Sequence, residues 1–126
     1  MILNPYAVAR SNFAIGLWAW PTLQVQARLY SAAYVADLEI DRVIPSTGAI
    51  DTAQLSGKTT DQLGYCWCNP IYFDAMVATA DVTQLVFFGS AGGVPIAHTF
   101  IPTIKKSSTP KPVRVLFAGD EWLFRL

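Results

Sequence analysis

The sequence predicts an all-β chain, a small antiparallel β-sandwich of jelly-roll type with at most one short helix. Three observations point there: apolar and polar residues alternate with period two along several segments, stripes at helical period are scarce, and glycine-bearing turns separate the alternating runs. At 126 residues the chain has room for one domain, and its 52% hydrophobic content excludes a disordered polymer. A single open sheet would leave an apolar face in water, so two sheet layers, or one closed on itself, are expected.

Taken in order, residues 1–20 are expected to form an apolar N-terminal arm or an extra strand, ahead of a single domain over residues 21–126. Ile2, Leu3, Pro5 and Tyr6 make the beginning apolar, and Phe13, Ile15, Leu17, Trp18 and Trp20 crowd the rest of the segment. Free ends are rarely so apolar. Aromatic anchors of this kind are favoured at interface centres, although packing within the same domain fits the composition equally well. Residues 23–29 give the clearest strand, because Leu23, Val25, Ala27 and Leu29 alternate with Gln24, Gln26 and Arg28. Residues 32–40 are expected as one or two helical turns, with Val35 and Leu38 on one side. A second alternation over residues 49–55 and a short apolar run at 71–73, introduced by Pro70, read as further strands.

Residues 84–88 and 94–101 flank Gly89, Gly92 and Gly93, and should pair as a hairpin whose glycines supply positive φ. Pro95 lacks a backbone donor, so the second arm should begin at an edge. Residues 103–112 read as a loop of prolines, Ser, Thr and Lys. A last hairpin is expected between residues 113–117 and 122–126, across 118–121, for a total of about seven or eight short strands. Neither an internal repeat nor a second domain is apparent.

Nine basic and nine acidic side chains balance to a net charge of zero, which removes the basic footprint of a nucleic-acid partner. The longest apolar stretch, residues 13–20, is eight residues, against roughly 18 for a membrane-spanning helix. No secretory signal is expected, since Arg10 interrupts the early apolar run. An intracellular or virion setting fits. Only 14% of residues are charged, against about 25% in average proteins, so the surface must present uncharged area that a partner could share.

Candidate chemistry is sparse. Cys66 and Cys68 would lie about 7 Å apart on one face of a strand, too far for an unstrained disulfide, and read as free thiols. With one histidine, His98, the chain lacks the further ligands that a metal site needs. No metal or other cofactor is expected. Gly57-Lys58-Thr59 fails as a phosphate loop, because Thr52 stands where the earlier glycine belongs and no helix follows. His98 could serve a nucleophile in principle, but in an apolar strand it reads as a hydrogen-bonded structural side chain. Asp37, Glu39 and Asp41 read as a solvated edge. Charge is uneven, however: seven acids stand against Arg42 and Lys58 between residues 37 and 81, whereas Lys105, Lys106, Lys111 and Arg114 cluster without an acid. Such asymmetry can orient one molecule against another.

The order of the pieces resembles a family of small structural proteins of tailed bacteriophages. The matching features are the strand at 23–29, Val43-Ile44-Pro45, Leu55-Ser56-Gly57-Lys58-Thr59, Ile71-Tyr72-Phe73, the hairpin over 85–101 and Leu123-Phe124-Arg125-Leu126. The resemblance covers residues 22–126 and departs at Tyr65-Cys66-Trp67-Cys68-Asn69-Pro70, where an acidic stretch is usual, and in the first 20 residues. It implies a noncatalytic virion component, a capsid decoration or cement protein made in the host cytoplasm. Such a protein would bind the major capsid protein on the head surface and assemble as a homo-oligomer, a dimer or trimer. A head-to-tail connector or tail protein forming a ring is the alternative. The expected interface residues are Tyr6, Trp18 and Trp20 as apolar anchors, with Lys105, Lys106 and Lys111 as charge partners.

Overall fold

The structure, a computed structural model, describes residues 1–117 and 122–126. In chain order its elements are β1 (Asn4–Pro5), α1 (Ala7–Ala14), β2 (Val25–Ser31), β3 (Ala49–Gln54), β4 (Thr59–Thr60), β5 (Tyr65–Trp67), β6 (Ile71–Ala78), β7 (Val82–Gly89), β8 (Val94–Ile104), β9 (Ser107–Val115) and β10 (Phe124–Arg125). The all-β class with one short helix is as the sequence predicts. The strands form a five-stranded sheet in the order β1-β8-β7-β2-β3, a three-stranded sheet β10-β5-β4 and the pair β6-β9, with every pairing antiparallel.

The alternation in β2 sets the register of the large sheet. Val25, Ala27 and Leu29 are buried on one face, opposite Gly89, Phe87 and Leu85 of β7. A one-residue slip would turn that apolar set outward, so the pattern specifies the pairing. Beyond Leu29 the register shifts, and both Tyr30 and Ser31 are buried. Strand β7 is enclosed on both faces. Phe87 stacks on Trp20, with centroids 6.3 Å apart, while Gln84 on the other face holds the backbone carbonyls of Ser31 and Tyr34. Ile71, Phe73, Met76 and Ala78 of β6 join the same core.

The β7–β8 hairpin forms as the glycines imply, with Gly92 at φ +79° and Gly93 at φ +61°. Pro95 lies opposite Phe88, where the β7–β8 register shifts, which accommodates a residue without a donor.

Four readings of the sequence are corrected. The helix is α1 and not residues 32–40, which form turns at 32–33 and 38–40 joined by irregular chain. There Asp37 Oδ1 accepts the backbone N–H groups of Glu39 and Ile40, and Asp41 Oδ2 accepts that of Asp37, so carboxylates replace helical partners. Helix α1 lacks a side-chain cap and an acid in its first turn. Tertiary contacts stabilise it: Ala9 is fully buried, and the Ala7 N–H, an orphan of the first turn, donates to the Leu38 carbonyl at 2.7 Å.

Residues 103–112 are not a loop. They contain the end of β8, the corner Lys105-Lys106 and most of β9. Among the described residues strand β9 pairs only with β6, so its other side is an edge, where prolines such as Pro110 and Pro112 are tolerated.

Residues 113–115 pair with Phe73, Tyr72 and Ile71, and Phe124 and Arg125 pair with Cys66 and Tyr65, so the expected terminal hairpin does not form. Its turn, residues 118–121, lies outside the described residues.

The first 20 residues are built into the fold. Asn4 and Pro5 pair with His98 and Ala97 of β8, and the Leu3 N–H donates to the Leu123 carbonyl at 2.6 Å. The fourth correction follows from this docking: Tyr6 and Trp20, expected on the surface as anchors, are core residues, 0% and 1% exposed.

Candidate interaction surface

Burial of Trp20 has a clear physical cause. Its indole lies between Phe87 and the edge of Phe124, and its Nε1–H donates to the Trp67 carbonyl at 2.9 Å, so the side chain loses water without losing its hydrogen bond. Tyr6 is also satisfied. Tyr34 donates its hydroxyl proton to Asp41 Oδ2 at 2.8 Å, because an ionised carboxylate only accepts, and so the Tyr6 hydroxyl donates to Tyr34 at 2.7 Å. Burial pushes the pKa of both phenols up, which keeps both protonated.

Trp18 is half-buried and stands at the surface. Its indole meets Phe13 edge-on at 5.5 Å, and Phe13 leans on the core residue Phe124 at 6.4 Å. The indole is a wall shared by two grooves. One, of about 380 Å³, is lined by Arg10, Phe13, Ala14, Trp18, Arg125 and Leu126. The other, of about 300 Å³, runs past Leu17, Ala19, Leu23 and Gly89 and has no charged side chain among the described residues. Both lie at the small end of the range that takes a ligand or a few side chains, about 300–1,000 Å³. Beside them Ile15 and Leu17 are 73% and 67% exposed.

The three lysines lie at the other end of the sheet. Lys105 Nζ approaches Asp81 Oδ2 at 3.5 Å, and the Lys106 backbone N–H donates to Asp81 Oδ1 at 2.9 Å. That N–H, followed by the lysine charges, holds the Asp81 carboxyl below its ordinary range. Lys111 is half-buried, and its Nζ donates to the Lys105 carbonyl at 3.3 Å, which braces the corner. Thr79, Thr83 and Thr103 line an open depression next to Lys105 and Lys106. Asp81 precedes β7 and Gly89, which lines the second groove, ends it, so the lysine corner and that groove are separated by about 26 Å, at about 3.3 Å per residue.

The remaining candidates are structural in their contacts. Gln84 Nε2 donates to two backbone carbonyls, which turns its Oε1 toward His98 and requires the Nε2–H tautomer of the imidazole, at 2.7 Å. Burial lowers the His98 pKa, so the ring is neutral. Cys66 and Cys68 are free thiols, and burial pushes them up to about 11 and about 12. Lys58 precedes β4, Thr59 is its first residue and pairs with Trp67, and Gly57, at φ +62°, packs against the Asn69 side chain. Asp37, Asp41 and the exposed Glu39 serve the 37–41 turn and, through Glu39, Arg10.

Sequence reasoning missed Arg10, Phe13, Arg125 and Leu126 as one surface. They come from opposite ends of the chain, and the available signal was a basic residue embedded in each apolar terminal segment. Fold and surface together describe an all-β module with a Trp-walled apolar groove at one end and a lysine corner at the other. Comparison with protein-family models, curated proteins and solved structures finds no match to this chain.

Proposed function

We propose that the chain is a noncatalytic structural protein of a tailed-bacteriophage particle, a decoration protein that binds the major capsid protein on the outside of the head. One observation carries the reading: the apolar groove that Gly89 lines and the lysine corner lie about 26 Å apart, at the two ends of β7. A cementing protein has to touch two bodies at once, and two chemically distinct, separated surfaces meet that requirement. The lysine corner suits encounter with an acidic patch, where rim charges govern association rate. The groove suits burial of apolar area, the term that holds repeated modest contacts together across a shell. The resemblance over residues 22–126 supports the same class.

The test is occupancy on purified particles. Hundreds of copies per particle support decoration, and about a dozen or fewer favour a connector ring, since closed rings follow low-order cyclic symmetry. Replacing Lys105, Lys106 and Lys111 together by Glu should lower occupancy about tenfold or more and flatten or reverse its salt dependence, because salt then screens repulsion instead of attraction. Full occupancy by that variant would refute the assignment of the lysine corner.

A further inference from the structure

The surface beside α1 is a strip with opposite charge at its two ends. At one end is the 37–41 turn, where Asp37 and Glu39 are exposed and Ile40 is 71% exposed. Glu39 reaches Arg10 at 3.1 Å, which joins this turn to the groove lined by Arg10, Phe13, Ala14 and Trp18. The same groove ends at Leu126 and Arg125. Arg125 Nε donates to the Leu63 carbonyl at 3.0 Å, so the strip continues to Leu63, 63% exposed. Along it the order is the acidic turn with its partner Arg10, the apolar centre of Phe13, Ala14 and Trp18, and then Arg125.

Arg125 is held ready for a partner. The bond to Leu63 and the Tyr65 ring, 5.1 Å from its guanidinium carbon, fix the side chain, yet it makes no ion pair among the described residues. A fixed guanidinium beside an apolar groove suits a carboxylate carried next to apolar side chains. The chain offers that combination itself, in Glu39 and Asp37 flanking exposed Ile40 and Val35. A twofold axis through the groove sets the acidic end of one strip against the basic end of the other and buries the two apolar centres on each other. This is the self-complementarity that an isologous interface needs, in which residue i meets j and j meets i. The Arg10–Glu39 pair does not oppose it, because both side chains are more than half exposed and such pairs exchange at little cost.

We propose that the Trp18 groove and the strip around it form a twofold interface with a second copy of this chain, pairing Arg125 of each molecule with the acidic turn of the other. The inference rests on the reading of the chain as an assembly module and assigns its parts: the groove to self-association, the lysine corner to the shell.

The test is sedimentation equilibrium of the full chain over a wide concentration range, with Arg125→Glu, Glu39→Arg, the double exchange and Leu17→Ser. The wild-type mass should rise from 13.8 kDa to twice that value. Each single charge reversal should weaken the dimer about tenfold or more, and the double exchange should recover most of that loss. Leu17→Ser should weaken it independently of charge. All three positions are exposed, and circular dichroism checks that each variant is folded. A wild-type chain that stays at 13.8 kDa overturns the inference, as does a trimer, or a dimer that R125E leaves unchanged. A monomer that binds particles through Trp18 would give the groove to the capsid partner instead. A charge-dependent dimer with no affinity for particles would sink the virion reading alone.

Discussion

His98 Nε2 and Gln84 Oε1 lie 2.7 Å apart in the buried side of the sheet, and this bond closes a clamp on two backbone carbonyls, those of Ser31 and Tyr34. The clamp ties β7 and β8 to the segment that leads into the 37–41 turn. Tyr34 and Phe100 present ring edges or faces to the imidazole, with centroids 6.4 Å and 5.0 Å away, and no carboxylate pairs with it among the described residues. A cation there would be neither solvated nor paired.

The consequence is a pH dependence of stability. Burial lowers the folded-state pKa of His98 below its ordinary value near 6.5. Below about pH 6.5 the unfolded chain therefore binds a proton that the folded chain resists, and stability falls as pH drops toward the folded pKa. Above pH 6.5 the contribution is complete. The urea midpoint should be flat from pH 8 to 7 and decline from about 6.5 to 5, and His98→Gln should remove the slope in that window. Asp81 acts at lower pH, because its depressed pKa makes its contribution present above the usual carboxylate range and lost only as pH falls below it. An equal slope in wild type and H98Q would show that the imidazole is not the group responsible.

The tyrosine relay predicts an asymmetry between two similar substitutions. Tyr34→Phe removes a donor to the Asp41 carboxylate and the acceptor of Tyr6, leaving two groups short of a partner, whereas Tyr6→Phe removes only the end of the relay. Bonds to charged groups contribute about 1.5–3 kcal/mol and neutral ones about 0.5–1.5 kcal/mol. Y34F should therefore cost more than Y6F in urea denaturation, and the double variant should cost less than the two singles combined, since they share one bond. Equal losses, or full additivity, would mean that the relay is not a unit.

Much of the fold was legible because period-two patterning is a direct consequence of strand geometry. Val25, Ala27 and Leu29 alternate with Gln26 and Arg28, and the β7–β8 turn contains the glycines that its positive φ angles need. Strand β9 was hidden by Pro110 and Pro112, which break a central strand but sit easily at an edge, and a linear sequence does not say which strand is an edge. Helix α1 was hidden because its stability comes from Ala9 in the core and a carbonyl supplied by Leu38, both tertiary. The lysine corner was legible as a charge cluster, but of the three expected apolar anchors only Trp18 stands at the candidate surface. Tyr6 and Trp20 have the same composition signal as Trp18, and whether an indole covers its own core or another molecule depends on partners such as Phe87 and Phe124, far away in sequence.

The cysteines should be inert in the folded protein. Burial pushes Cys66 to about 11 and Cys68 to about 12, so the thiolate, the reactive form, is scarce at pH 8. Reaction with a chromogenic disulfide at pH 8 should be slow for both, and should complete two equivalents rapidly once urea unfolds the chain. Cys68, half-buried where Cys66 is fully buried, should be the first to react in intermediate conditions. A fast equivalent in the native protein would mean that the 65–68 segment opens readily.

Trp18 and Trp20, two residues apart, should separate assembly from stability. Trp20→Ala removes an indole that is 1% exposed, opens a cavity against Phe87 and Phe124, and strips the Trp67 carbonyl of its donor. Large aromatic-to-alanine changes in a core cost about 3–5 kcal/mol, a large share of a small domain's stability, so W20A should lower the thermal midpoint sharply or fail to fold. Trp20→Phe, which keeps apolar bulk but loses the donor, should fall between W20A and wild type. Trp18→Ala exposes the side of Phe13 and merges the two grooves, but takes only a half-buried side chain from the fold. Its stability loss should be the smaller by about 2 kcal/mol or more, while its self-association falls about tenfold or more. The comparison is made on matched samples by thermal denaturation and sedimentation. A W18A chain that unfolds as readily as W20A would move Trp18 into the core and remove the groove as a docking surface; a W18A chain as stable and as dimeric as wild type would leave the indole without a role in either.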